Sequence, residues 1–486
     1  MRRDHLTTSN TFCAEADHTH LSPLGSIGLY TSYRLWYVPP HDLCLPPLAV
    51  RLQRCYVALV SGLQRGGRSA TAARPGHAPP PDAATAAASF AQKLWRFTSN
   101  TRVPYPALMT PLLQVVRNAT AARPGRVHLV VHDWSTLAFG SHPSKRDRKR
   151  LTNDRDCGYD LHLALLVDAA DGSAVAPVDV TLTTADAVLS TRPDGIADQP
   201  AGHVDQLLPA MTAVAALALP ARLVHVIDRE ADSVGHWRQW DPTHRVLVRA
   251  DDRQVLWNGQ PAKLSTIHAA VRGKGEFRDG GAVKYRGTKA HLFVAETVVV
   301  LHRPAKTTVD GTSVAVPGRP LELRLVLTEV RDEDGKVLAT WWLLTNAPAD
   351  WGTSADVARW YYSRWRIEST FKLLKSAGWD VEEWRQRTGP GLLRKLLVAL
   401  AGCVSVWRLQ ARDDASAEWL KELLMRLSGR QVKRSVPVTT AGLLAGLWVW
   451  QSASAVIGDT GQDTVERLIA DHLPLFAAPP KPKKDV

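Results

Sequence analysis

Two short apolar runs constrain this chain most, because each ends in an aspartate. Residues 127–132 read VHLVVH and are followed by Asp133; residues 223–227 read LVHVI and are followed by Asp228. Runs this short and this rich in valine fit buried strands better than helices. Carboxylates at the ends of neighbouring strands stand where α/β sheets assemble their sites. Two such groups repel unless a cation lies between them, and hard oxygen ligands suit Mg2+. An aspartate in either place can equally cap the next loop or helix, so the pair alone leaves both readings open.

The surrounding pattern predicts an α/β core. Residues 161–167 and 175–182 read as further strands around a turn at Asp171-Gly172, 204–217 and 232–240 as helices, and 245–249 as a strand. Residues 292–301 and 321–330 are β-rich, DEDG at 332–335 is a hairpin turn, and 340–345 is the return strand. Helices are expected at 356–375, 391–411, 417–427, 439–450 and 464–472. Upstream, 48–63, 87–97 and 105–117 read as helical, and 73–88 has the Pro/Ala composition of a linker. The chain therefore divides into a poorly defined N-terminal segment with linker (1–85), the first part of the core (86–250), a β-rich insertion (251–338), the second part of the core (339–385), and a helical C-terminal region with a Pro/Lys-rich tail (386–486).

Composition narrows the function. The 486 residues leave room for two or three domains, and 45% hydrophobic with 22% charged residues is ordinary for a globular protein. A formal charge of +13 suits a polyanionic partner. The five cysteines are scattered with no C-x-x-C pair, which argues against a disulfide framework or a zinc finger. No run approaches the ~18 apolar residues of a membrane span, and no apolar run follows Met1-Arg2-Arg3 as in a signal peptide. The expectation is an intracellular protein with no membrane partner.

The third carboxylate lies on the helix expected after Ser354. Tyr361, Arg364, Glu368 and Lys375 share an arc of roughly 60° at 100° per residue, beside the apolar Trp360, Ile367, Phe371 and Leu374. A solvated face with an Arg364–Glu368 pair is the plain alternative. One carboxylate among Tyr, Arg and Lys, bordering a buried stripe, suits a phosphate site better: the acid holds metal and the cations hold phosphate oxygens. The run KRDRKR at 145–150 reads either as a DNA-backbone contact or as a solvated charged loop.

These residues resemble a known family. YYSRWRIESTFKLLK at 361–375 matches the Tyr-x-x-Arg-x-x-x-Glu-x6-Lys (YREK) signature of the insertion-sequence-four family of DDE transposases. VVHDWSTLAF around Asp133 resembles that family's first-Asp strand, VIDREADS around Asp228 its second-Asp motif, and Trp341 in WWLLTNAP the tryptophan that precedes the signature. The likeness runs from about Ala86 to Trp450; residues 1–85 do not resemble the relatives' N-terminal end-recognition module. The resemblance implies an RNase H-like core, a mixed sheet flanked by helices, with a β-rich insertion and a helical C-terminal region. It implies that Asp133, Asp228 and Glu368 are catalytic and bind two divalent ions, Mg2+ with Mn2+ able to substitute. It also implies that Tyr361, Arg364 and Lys375 hold DNA phosphates and that Trp341 stacks on a flipped base. The implied activity is cut-and-paste transposition of an insertion sequence through a hairpin intermediate, by a homodimer on double-stranded DNA (terminal inverted repeats and target), in a bacterial cytoplasm at the nucleoid. The alternative is a catalytically inactive or domesticated DNA-binding descendant, against which the three intact acids stand. A phosphatase using Asp133 would want a second Asp where Ser135 stands, and YREK with the insertion disfavours a structural nuclease or resolvase.

Overall fold

The apolar runs form one continuous sheet. The computed structural model describes residues 45–65, 81–151, 156–197, 202–376, 378–430, 438–464 and 467, all within one compact unit spanning 39–486. Its strands are β1 (Val127–Ala138), β2 (Lys149–Arg150), β3 (Cys157–Asp168), β4 (Ala174–Thr183), β5 (Val188–Ser190), β6 (Ile196–Ala197), β7 (Arg222–Ile227), β8 (Val246–Arg249), β9 (Gln254–Trp257), β10 (Gln260–Lys263), β11 (Arg278–Tyr285), β12 (Thr288–Leu301), β13 (Ala305–Val309), β14 (Thr312–Val316), β15 (Leu321–Asp332) and β16 (Val337–Thr345). The helices are α1 (Val50–Arg65), α2 (Pro81–Thr98), α3 (Tyr105–Ala122), α4 (Leu207–Ala215), α5 (Val234–Trp240), α6 (Leu264–Gly273), α7 (Ser354–Tyr362), α8 (Trp365–Lys375), α9 (Gly389–Ala411), α10 (Ala415–Leu427) and α11 (Thr440–Thr460).

The core runs β4-β3-β1-β7-β8. The first three strands are antiparallel, and β7 and β8 then join parallel to β1. This is the mixed sheet of an RNase H-like fold. Helices α3, α7, α8 and α9 pack into the larger apolar cluster, α5 and α6 into a second one, and α4 contributes to both. Burial on both sides explains why β1, β3 and β7 read as near-continuous apolar runs.

The β-rich block is not a separate sheet. The outer edge of β8 is taken by β16, with Leu343↔Arg249 and Leu344↔Val248 in register, and the sheet continues through β15, β12, β9 and β10. A strand edge that would otherwise present unpaired backbone groups is thereby closed. The DEDG turn stands where expected, with Gly335 at φ +80° and its N–H donating to Asp332 O at 3.0 Å. Within the block, α6 buries Leu264, Ile267 and Val271, a helical spacing that the strand-rich reading of 251–338 passed over.

Three local expectations change. Asp133 does not follow its strand. Because β3 pairs along the whole of β1 (Asp133↔Leu163, on to Ala138↔Gly158), β1 carries on past it. The helix expected at 356–375 is two, α7 and α8. The break at Ser363-Arg364 is made by tight i,i+3 bonds, Arg364 N to Tyr361 O at 3.0 Å and Arg366 N to Ser363 O at 3.1 Å. The β3–β4 turn docks there: Gly172, at φ +69°, would place a Cβ 2.8 Å from Ser363 Oγ, and Arg366 Nε donates to Gly172 O at 2.5 Å. In the N-terminal segment, α1 buries Tyr56, Leu59 and Val60 in the core and packs on α9 and α11. Helix α2 begins at Pro81, so the end of the expected linker, residues 81–88, is helical; 73–80 lie outside the described residues, as do most of 464–472 and the tail. No helix among the described residues is long and apolar enough to cross a membrane.

Candidate active site

Asp133, Asp228 and Glu368 come from three elements and meet at one guanidinium. Asp133 projects from β1 toward α8, with its Oδ1 accepting the Trp134 N–H at 2.9 Å. Asp228 follows β7 and caps the one-turn 3-10 helix Arg229–Ala231, accepting the Arg229 N–H at 2.7 Å. Glu368 lies in the first turn of α8. Arg364, at the α7–α8 break, puts Nη1 3.2 Å from Asp133 Oδ2 and Nη2 3.4 Å from Asp228 Oδ2, and Nη2 also bonds Glu368 Oε1. Tyr361, in the last turn of α7, donates its hydroxyl to Asp228 Oδ1 at 2.9 Å.

The electrostatics follow from that arrangement. Burial pushes Asp133 up to about 6, with Arg364 pulling the other way. Asp228 is also raised by burial, but Arg364, the Arg229 N–H and the Tyr361 hydroxyl outweigh it and hold the group below its ordinary value. Tyr361 is raised by burial and by Asp228. Burial works against charge on Arg364, yet its three carboxylates raise it further. Three acids around one guanidinium leave an excess of negative charge, and the Arg364 Nε is buried without a partner.

The donor set, three carboxylates from three elements, fits a divalent cation in chemistry and charge. Among the described residues no three Asp, Glu, His or Cys side chains form a ready-made metal cage; the acids are gathered through Arg364.

The other expected residues are near but differently occupied. Lys375 donates to Thr136 O at 2.8 Å and lies 3.2 Å from Glu382 Oε1, which also accepts the Ala138 N–H at 2.9 Å. Lys375 thus sits against β1, beyond Asp133. Trp341, on β16, is 4% exposed and meets Tyr361 edge to face at 5.2 Å between centroids, with Tyr285 at 6.2 Å. Its rings are covered, so a base reaches them only if these tyrosines move.

Sequence reasoning missed Arg249. It ends β8, beside β7, and its charge acts on both Asp228 and Tyr361; the signal was a cation at the end of the strand next to the Asp228 strand. Of the other acids in DREAD, Asp232 binds Arg253 and the Asp251 N–H, and Glu230 pairs with His203 at 3.0 Å. Both anchor the loop, and the Glu230 charge also acts on Asp133, raising it.

The run at 145–150 is mostly folded inward. Lys145 donates to Trp384 O at 2.7 Å and Arg148 to Phe139 O at 2.6 Å, while Lys149 pairs with Asp160 at 2.5 Å. Asp147 accepts the Tyr159 hydroxyl at 2.5 Å and the Gly389 N–H at 2.7 Å. Arg146 and Arg150 remain exposed. Neither a free DNA patch nor a solvated loop describes this segment; it ties the β1–β3 connection to α9.

No curated relative matches the chain. Residues 226–402 match the family model of the transposase DDE domain, a stretch that holds Asp228, the YREK-like residues and Glu368 but begins after Asp133. With an RNase H-like sheet that adds Asp133 to that stretch's two acids, this similarity supports a DDE transposase.

Proposed function

We propose that this chain cuts and rejoins DNA at the ends of an insertion sequence, as a DDE transposase of the insertion-sequence-four kind. The observation that carries the reading is the convergence of Asp133, Asp228 and Glu368 on Arg364. In this reading the three acids hold two divalent ions, Mg2+ or Mn2+, which supply activation of the attacking oxygen and stabilisation of the leaving one.

The chain's own residues do the rest. Tyr361 holds the Asp228 carboxylate in its rotamer through the 2.9 Å bond. Arg364, together with Arg249 at the end of β8, places cationic donors where a phosphodiester must lie to be attacked. Lys375 extends this row along β1. Trp341 backs Tyr361 and offers a surface for a flipped base once the pair opens. Stacking worth ~1–3 kcal/mol would offset the few kcal/mol of flipping. Two copies of the chain on the paired terminal repeats, a hairpin at each freed end and strand transfer into target DNA complete the proposed cycle, at the bacterial nucleoid.

The test is divalent-metal-dependent nicking of duplex DNA carrying the inverted repeats that flank the gene. Nicking that requires Mg2+ or Mn2+ and vanishes in Asp133→Ala, Asp228→Ala and Glu368→Ala supports the reading. Binding of the repeats without any nicking by the unaltered chain would sink it in favour of an inactive DNA-binding descendant.

A further inference from the structure

The sheet face opposite the carboxylates carries a line of histidines that this chemistry does not use. His132 precedes Asp133 on β1 and so points the other way; His225 stands three residues before Asp228 on β7; His162 faces them from β3. All three are 1–2% exposed. His132 Nε2 lies 2.9 Å from His225 Nδ1, and His132 Nδ1 lies 3.3 Å from His162 Nε2. His162 Nδ1 is 3.9 Å from Asp179 Oδ2, and Arg192 grips Asp179 with Nη2 at 2.8 Å and Nε at 3.2 Å. The line therefore runs across β7, β1, β3 and β4 and ends on a fixed ion pair.

Backbone pairing alone does not set the spacing of the two aspartates. The β1–β7 ladder ends at Val131↔Val226, two residues short of Asp133 and Asp228. The His132–His225 bond is a side-chain link between the two strands at that end of the ladder, one residue from Asp133. A neutral imidazole has one donor and one acceptor. Donation from His225 to His132 and from His132 to His162 satisfies both hydrogen-bonded links in one direction and leaves the buried His162 Nδ1 facing the Asp179 carboxylate at 3.9 Å without a hydrogen bond. Two buried hydrogen bonds that join three neighbouring strands specify geometry in a way that apolar packing of the same volume does not.

We propose that His225, His132 and His162 are positioning residues that lock β7, β1 and β3 together behind the site and so set the separation of Asp133 and Asp228. The proposal rests on reading those aspartates as metal ligands. Its readout is Mn2+ binding by the full chain without DNA, followed by loss of the free-ion electron paramagnetic resonance signal. His225→Leu removes the link and should weaken Mn2+ binding about tenfold, the usual cost of losing an outer-shell partner. His225→Asn, which keeps a polar group at the Nδ1 position, should recover most of the affinity. Unchanged binding in a folded His225→Leu overturns the proposal, and so does His225→Asn binding as weakly as His225→Leu, since volume rather than the bond would then be responsible. If His225→Leu does not fold, His162→Leu, which cuts only the outer link, is read the same way, and wild-type affinity there overturns it. The Asp133→Ala Asp228→Ala double variant separates the two failures. Should it bind Mn2+ like the unaltered chain, or should the unaltered chain bind none, the metal reading falls and this proposal with it.

Discussion

Two charged segments stood out in the sequence, 361–375 and 145–150, and the fold treats them in opposite ways. The first brings Tyr361 and Arg364 to Asp133 on β1 and Asp228 just after β7, with Glu368 on the same guanidinium. The second spends Lys145, Asp147, Arg148 and Lys149 on backbone and side-chain partners within the structure. The first has fewer cations per residue but places one carboxylate at a regular spacing among hydroxyl and cationic neighbours. The difference teaches that charge density says little about exposure, because a buried carbonyl satisfies a lysine as well as a phosphate does. Spacing that groups unlike polar side chains beside a buried stripe says more.

The comparison is open to a direct break. Glu368→Ala, like Asp133→Ala and Asp228→Ala, should lower the nicking rate by about a thousandfold or more, since in the proposed reading each would remove a metal ligand on which several kcal/mol of transition-state stabilisation depend. Arg146→Ala and Arg150→Ala should leave that rate within twofold in the same assay. A large loss from the arginine pair, or a small one from Glu368→Ala, would reverse the assignment of the two segments.

Trp341 sharpens it further. If Trp341 meets a flipped base, Trp341→Ala should slow opening of the second strand about tenfold to a hundredfold while sparing the first nick. Reaction of a pre-nicked end substrate, resolved on a denaturing gel, measures both steps. Equal slowing would make Trp341 a core residue that supports Tyr361, a role its burial already serves. As a core residue, its truncation should also cost about 3–5 kcal/mol of folding stability.

For the inward-facing segment, the expected effect is on stability. Asp147→Ala leaves the Tyr159 hydroxyl and the Gly389 N–H without their acceptor and should cost about 2 kcal/mol in denaturant unfolding, with nicking per folded molecule unchanged. An Asp147→Ala chain as stable as the original would mean that the run is not held as described.

The smallest effect is a pH slope. Burial pushes Lys395 down to about 7, with Lys145 adding to the shift, and pushes Lys145 itself down to about 8. In both cases the folded chain binds the proton less tightly than the unfolded chain, whose lysines titrate near 10.5. The unfolded state therefore holds more protons between those values, and stability rises with pH from about 7 toward 10.5. The Lys395 ammonium also lies 3.9 Å from the centre of the Trp384 ring, which favours its charged form and blunts the rise. Lys395→Met should flatten the rise of the unfolding midpoint between pH 7 and 9; an unaltered slope would mean that Lys395 stays charged against Trp384.

Much of the fold was legible in the residues themselves. The strands at β1, β3, β4, β7 and β15, the DEDG turn and helices α3, α9 and α10 follow from apolar runs, spacing and turn chemistry that act over a few residues. The same local signals marked Asp133, Asp228 and Glu368 as candidates, because an acid after an apolar run, or beside a buried helical stripe, is visible in one dimension. What tertiary structure decided lies between elements. That β1 continues past Asp133 depends on β3 beside it, and that the 356–375 helix breaks at Ser363 depends on a turn docked from the β3–β4 hairpin. That Lys145 points inward depends on Trp384, and that α1 joins the core depends on α9 and α11, far along the chain. The line of histidines shows the division most plainly. His132, His162 and His225 each look like a stray polar residue in an apolar strand, and only strand order brings them within hydrogen-bond reach, because which strand lies beside which is decided between segments far apart in the chain.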